Sequence, residues 1–298
     1  MPQVFVNAPD ALCYTTSVWI IPILANLVGN TGYNTILRYA ASDKKIDPLF
    51  LAAIMSTAIA APAVFGVFIA RIDWSVFDTH IIIVYAITIG FILLLHIVNA
   101  KALENTEASI FSFLYNFRIG FATLLGIVFL GESLSPMNIA GGALVFVAGF
   151  FLMTKSAVSP LGVMFSIFTA GAISVLNTFE KYLIVEIGYT AYMFPSAIIT
   201  ACLLWIIVIG GKRPISKSFL ASKEFVALSI FRSISAYGFT LALGLGALVS
   251  ITTYISSFAC VSIAIIGIIF LKETDALPKK ILAGIIAVIG ITFIFLST

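Results

Sequence analysis

Charge is what this chain has least of. Only 10% of its 298 residues are Asp, Glu, Lys or Arg, while 61% are hydrophobic, and the mean hydropathy is +1.15. These values lie far outside the composition of a water-soluble domain. Cysteine is scarce too: Cys13, Cys202 and Cys260 are odd in number and lack metal-ligand spacing, which argues against both a disulfide framework and a zinc site. The two histidines, His80 and His96, stand far apart. The H-E-x-x-H, G-x-S-x-G and Lys-terminated phosphate-loop patterns are missing, as are paired membrane aspartates. An enzyme is therefore not expected, and neither is a cofactor. The formal net charge of +3 points to no nucleic-acid partner.

What the chain has is long apolar runs. Segments of roughly 20 apolar residues, each able to cross a hydrocarbon core of about 30 Å, fall at 17–40, 48–70, 80–101, 107–131, 136–154, 160–184, 190–210, 222–244, 247–271 and 279–297. The expectation is an all-α integral membrane protein with ten transmembrane helices, numbered here as spans 1 to 10. Met1 to Ser17 contains no Lys or Arg and does not read as a removable signal peptide; it is expected to be a short surface tail. The connections are too short to hold a soluble domain.

The sequence also contains itself twice. Gly126-Ile-Val-Phe-Leu-Gly-Glu132 returns 141 positions later as Gly267-Ile-Ile-Phe-Leu-Lys-Glu273, and Ser109 and Gly149 match Ser250 and Gly290 at the same offset. At an offset of 143, Asn34-Thr-Ile-Leu-Arg-Tyr39 matches Asn177-Thr-Phe-Glu-Lys-Tyr182. Residues 1–154 and 155–298 thus read as two five-helix repeats. Five crossings reverse direction, so the second repeat is inverted with respect to the first, and a site is expected where the halves meet near the midplane. Basic residues are retained on the cytoplasmic side. Connections 1–2, 3–4, 5–6, 7–8 and 9–10 carry twelve Lys or Arg, and the opposite face carries Arg71 and Lys181. This asymmetry predicts a multi-pass protein of the cell (inner) membrane with both termini outside the cytoplasm.

The Ala108-Ser109 start of span 4, the turn Phe129-Leu-Gly-Glu-Ser-Leu-Ser135, the glycines Gly141, Gly142 and Gly149, and their echoes at Ser250, Glu273, Gly284 and Gly290 resemble the drug/metabolite transporter superfamily. The form resembled is the ten-helix one with two EamA-type repeats, over nearly the whole chain. The resemblance implies a cavity lined by spans 1, 3, 4, 6, 8 and 9, with spans 5 and 10 packed at the periphery through small residues. Such proteins often carry a proline about 13 residues before the turns that follow spans 4 and 9; Ile119 and Cys260 stand there instead, so a proline hinge is not expected. Family members usually keep both termini in the cytoplasm, against the charge count, which is preferred here.

Arg118 lies near the middle of span 4, with no acid within a helical turn or two. An intramembrane cation faces the bundle interior or a watery cavity and marks a substrate path, and a guanidinium fork suits a carboxylate or phosphate. The other reading is a structural arginine bonded to carbonyls and hydroxyls. Arg232 in span 8, beside Ser229, Ser233, Ser235 and Tyr237, is a second anchor or snorkels to the interface. Asn26, Asn30 and Asn34 form one stripe of span 1, which faces the cavity or bonds neighbouring helices; Asn177 and Ser174 occupy the matching face of span 6. Tyr115 and Asn116 point to different faces, so one of them lines the cavity with Arg118. His96 can titrate near neutral pH and is either a proton-coupling group or a neutral structural histidine. Span 9 bears Ser250, Thr252, Thr253, Tyr254, Ser256 and Ser257, which wet one face or bond back to their own helix. Glu132 and Glu273 read as dipole partners of the helix that follows each turn, and Glu180 as a local ion pair with Lys181 or a gate contact.

The substrate-contacting set expected from sequence is therefore Arg118, Arg232, Asn26, Asn30, Asn177, Tyr115, Asn116, His96, Tyr237 and Tyr254. The expected function is alternating-access carriage of a small polar metabolite, such as an amino acid or other carboxylate, by a monomer embedded in the lipid bilayer. The alternatives are an intramembrane enzyme acting on a lipid-linked substrate and an exporter of unrelated amphipathic compounds.

Overall fold

The computed structural model describes residues 18–43, 46–105, 111, 114–151, 159–270 and 277–297. Among them every regular element is helical: α1 (Ile20–Asp43), α2 (Pro48–Ile69), α3 (Thr79–Asn105), α4 (Arg118–Leu130), α5 (Pro136–Phe151), α6 (Pro160–Ile187), α7 (Tyr189–Gly210), α8 (Lys223–Gly244), α9 (Val249–Ser257), α10 (Ala259–Phe270) and α11 (Leu277–Leu296), with single helical turns at Trp74–Val76 and Lys217–Leu220. Six of these, α2, α3, α6, α7, α8 and α11, are each long and apolar enough to cross a membrane; α4, α5 and the stretch Val249–Ile263 are shorter apolar helices.

Local chemistry sets the helix starts. Asp47 accepts the N–H groups of Leu49 and Phe50 at 3.0 Å, and Pro48 occupies the first turn, where its missing N–H costs nothing. Ser159 and Ser222 cap α6 and α8 in the same way. Across the loops, Arg213 reaches Asp47 at 3.3 Å. In the 2–3 connection Asp73 accepts both the N–H and the hydroxyl of Ser75, which holds its carboxyl below the usual range. Helix α4 ends at Gly131, whose φ of +65° places it in the left-handed region, and the reversed chain aims the next residue, Glu132, back into the bundle.

Helices pair across the molecule: α1 with α8, α2 with α7, α3 with α6, α5 with α11, α4 with α6 and α9, and α1 also with α9 and α10. Small residues permit the tightest of these. A Cβ at Gly29 would lie 2.5 Å from the Ser235 nitrogen, and one at Gly238 would lie 2.6 Å from the Pro22 carbonyl, so α1 and α8 touch backbone to backbone. Gly141 and Gly290 stand in the same relation between α5 and α11, as close helix packing in lipid requires. Gly142 and Gly149, grouped with them from sequence, make room instead for the Tyr254 ring and the Asn116 amide. Outward faces carry Phe65, Phe68, Ile69, Val128, Ile206 and Leu296, the surface expected of a protein whose solvent is hydrocarbon.

Spans 4 and 9 are broken, against the expectation of two continuous helices. At Asn116-Phe117 the N–H of Phe117 reaches Leu114 O and that of Ile119 reaches Asn116 O; at Phe258 the N–H reaches Ile255 O, and Val261 bonds Phe258 O. Each is a short 3₁₀-type turn. The breaks arise without proline; at the second, Ser257 Oγ donates to Thr253 O and Asn30 Nδ2 to Ser256 O, giving those carbonyls partners outside the helix ladder.

Candidate functional site

Arg118 is 7% exposed and lies inside the bundle at the first residue after the span 4 break. Its Nε donates to Ser257 Oγ at 3.1 Å, at the last residue before the span 9 break, and its guanidinium rests over the Tyr115 ring at 4.6 Å. Ser257 Oγ donates onward to Thr253 O at 2.7 Å, while Arg118 O accepts Ser174 Oγ of α6 at 3.2 Å. Asn116 is buried, and its Oδ1 accepts the Cys260 thiol at 3.7 Å. The two broken helices therefore meet at their breaks and are tied there by polar contacts.

A second cluster surrounds Arg232. Its guanidinium lies 5.5 Å from the centre of the Tyr33 ring, and its charge acts on Tyr33, His96 and Glu180. Tyr33 in turn feels Tyr115. Tyr33, His96 and Glu180, on α1, α3 and α6, are each partly accessible.

Glu180 corrects the sequence reading. It was expected to form a local ion pair with Lys181 or a gate contact; Lys181 Nζ donates to Leu243 O at 2.7 Å, and Glu180 Oε1 instead accepts the Tyr192 hydroxyl at 2.8 Å. A carboxylate therefore lies within the bundle, tied to α7. The available signal was its spacing of three from Asn177 on one helix face. Tyr33 was also missed, and nothing in its sequence neighbourhood singles it out. Glu132 differs as well. Rather than serving α5, which follows it, its carboxylate accepts the N–H of Val249, the N–H of Ser250 at 3.1 Å and Ser250 Oγ at 2.5 Å, capping α9 in the other half. Glu273 and Ser109 lie outside the described residues.

The remaining expected site residues are placed as follows. Asn26 Nδ2 donates to Ser235 O at 2.8 Å and to Ser235 Oγ at 3.1 Å, binding α1 to α8. Asn30 Nδ2 reaches Ser256 O at 3.5 Å, and Asn34 bonds back to Asn30. Asn177 is buried in α6. Tyr237 donates to Ile59 O at 2.8 Å, and the Tyr254 hydroxyl meets Thr123 Oγ1 at 2.6 Å. Most of these polar groups are thus occupied in joining helices, which is how lipid-embedded amides and hydroxyls find partners. A separate crevice of about 510 Å³ lies between α10 and α11, lined by Ile265, Ile281, Gly284, Val288 and other apolar residues, with Lys280 among them; its mostly apolar lining suits an acyl chain rather than a polar solute.

Residues 18–154 match the EamA-like transporter family. The first half of the chain is an EamA-like module, and the resemblance to the drug/metabolite transporter superfamily is borne out there. That match and the long apolar helices indicate a multi-pass membrane protein. Curated proteins give no match. A solved crystal structure of a protein 18% identical in sequence shares the fold, with a TM-score of 0.75 over 93% of this chain and 98% of that one.

Proposed function

We propose that this EamA-like transporter is a secondary carrier that moves a small polar metabolite bearing a carboxylate, by alternating access between two inverted five-helix halves, residues 1–154 and 155–298. Helix pairing supports the arrangement. Exchanging the halves turns the α1–α8 pair into the α6–α3 pair and the α4–α6 pair into the pairing of span 9 with α1, while α2–α7 and α5–α11 map onto themselves. The breaks at Phe117 and Phe258 are separated by 141 positions, the same offset that relates Glu132 to Glu273. Ten spans, the ninth made of α9 and α10, follow from that reading. The charge asymmetry supports cytoplasmic placement of connections 1–2, 3–4, 5–6, 7–8 and 9–10, with the termini outside and the monomer as the working unit.

The observation that supports the substrate class is Arg232, a cation on α8 that lies 5.5 Å from the centre of the Tyr33 ring and makes no ion pair among the described residues. A guanidinium kept in such a place holds an anionic group as a charge-assisted fork. Arg118 adds positive potential from the junction of the two breaks. The test is a thermal-stability screen of purified protein against amino acids, organic acids, nucleotides and amines, because only ligands of the folded state raise the melting point. Stabilisation is expected from carboxylate-bearing compounds and should vanish in Arg232→Gln. Stabilisation by simple amines alone, or undiminished stabilisation of Arg232→Gln by carboxylates, overturns the assignment.

A further inference from the structure

We infer that the crevice between α10 and α11 is a binding site for an anionic phospholipid, with an acyl chain lying in the crevice and the phosphate meeting Lys279 and Lys280 at its mouth. The site lies on the outer wall of the bundle and does not depend on the carboxylate reading above.

The two sides of α11 differ. One side packs tightly on α5, where Gly290 approaches Gly141 backbone to backbone and Ala283, Ala287 and Ile294 are fully covered. The other carries Leu277, Ile281, Gly284 and Val288 at intervals of three and four, a single stripe of the helix. Ile281 and Val288 are 52% and 54% exposed there, so the crevice opens outward. Opposite the stripe stands Ile265 of α10. Among the described residues, a Cβ added at Gly284 would meet only Ile265 Cδ1, at 3.9 Å. The missing side chain and this loose contact leave the hollow of about 510 Å³.

Its length fits one leaflet. The lining follows α11 from Lys280 to Ile289, about 14 Å at the helical rise per residue, close to half of a hydrocarbon core about 30 Å thick. The Lys280 end lies in the first turn of α11, at the membrane surface, and the other end points toward the midplane. Hydrocarbon is the medium on this face, so an acyl chain fills the hollow, and one lying in a concave wall gains more contacts than one on a flat wall.

Charge decides which lipid supplies the chain. Lys280 lines the crevice and Lys279 is exposed beside it; such side chains lay their stems along apolar surface and carry the ammonium out to the phosphate level. The preceding connection, residues 271–276, lies outside the described residues and carries Lys272 against Glu273 and Asp275, so residues 271–280 hold three lysines to two acids. Basic residues at the mouth of a crevice between transmembrane helices select anionic head groups. A choline head group brings its own cation to the lysines, whereas a glycerol head group leaves the phosphate charge uncompensated and available to them.

The experiment titrates full-length protein, depleted of lipid in mild detergent, with dioleoylphosphatidylglycerol and with dioleoylphosphatidylcholine. Native mass spectrometry reads bound lipid and oligomeric state, and thermal shift reads stabilisation. Wild type should bind the phosphatidylglycerol at least about tenfold more tightly, the scale of two lysines acting on an anionic lipid. The double variant Lys279→Gln, Lys280→Gln, altered only at the surface and rim, should bind both lipids alike, at the phosphatidylcholine level. Gly284→Leu, which fills the hollow, should lose the tight phosphatidylglycerol binding. Equal binding of the two lipids by wild type, or a preference that survives in the lysine variant, overturns the anionic site. A preference that survives in Gly284→Leu places the lipid elsewhere and overturns it too. A lipid-free wild-type dimer that Gly284→Leu converts to monomer puts a second copy of the chain in the crevice, with the same consequence.

Discussion

Single side chains in this bundle are costly, because lipid offers no water to satisfy a buried donor or acceptor. Glu132 shows the consequence. It is 8% exposed, and its carboxylate gathers two backbone N–H groups and a hydroxyl at the start of α9. In Glu132→Gln an amide with one acceptor oxygen must serve three donors. Loss of about 1–3 kcal/mol is expected, seen as a melting point several degrees lower in detergent; Ser250→Ala, which removes the hydroxyl only, should cost about 0.5–1.5 kcal/mol. An unchanged melting point in Glu132→Gln would remove the cap from the account. Arg118 is different, since its contacts with Ser257 and Tyr115 tie two helices while its charge reaches into the bundle. Arg118→Met should lower both stability and carboxylate uptake, whereas Ser257→Ala should affect stability alone; equal loss of uptake in both variants would make Arg118 a purely structural residue.

Helices 4 and 9 and the pair α5–α11 respond to geometry rather than to charge. Cys260 lies in the first turn after its break, where a helix tolerates proline because the first N–H groups have no intrahelical acceptor, whereas the Ile119 N–H donates to Asn116 O at 3.0 Å across the other break. Cys260→Pro should therefore cost less than about 1 kcal/mol, Ile119→Pro about 1 kcal/mol more for the lost bond, and Leu125→Pro, inside α4, about 3 kcal/mol or more. Thermal unfolding of the three variants checks this, and equal destabilisation would mean that spans 4 and 9 are continuous. Packing of α5 on α11 is equally specific. A Cβ at Gly290 would sit 2.7 Å from Gly141 O, so Gly290→Leu should destabilise by about 1–3 kcal/mol through overpacking. Gly120→Ala, which meets open space, should be neutral or slightly stabilising.

For the protein as it sits in a membrane, the decisive quantity is orientation. Twelve Lys and Arg on one set of connections against two on the other represent a strong bias in insertion. Ser218→Cys, beside the basic stretch after α7, should react with a membrane-impermeant thiol reagent only in inside-out vesicles. Ser75→Cys, on the opposite face, should react only in right-side-out ones. Both positions are exposed, so reversed labelling of the pair would reverse the orientation.

Membrane residence and helical content were legible from composition alone, because hydropathy and helix length follow directly from the solvent. The polar residues that deserved scrutiny were legible as well: Arg118, Arg232, Asn26 and His96 stand out in any apolar sequence. Their partners were not. Sequence spacing cannot say that Asn26 bonds Ser235, that Lys181 turns to Leu243 and leaves Glu180 to Tyr192, or that Glu132 caps a helix 117 positions away. Those outcomes depend on which helices pair and how closely their glycines let them approach, and in a bundle with apolar solvent on its outside only the assembled interior decides where each polar group finds its partner.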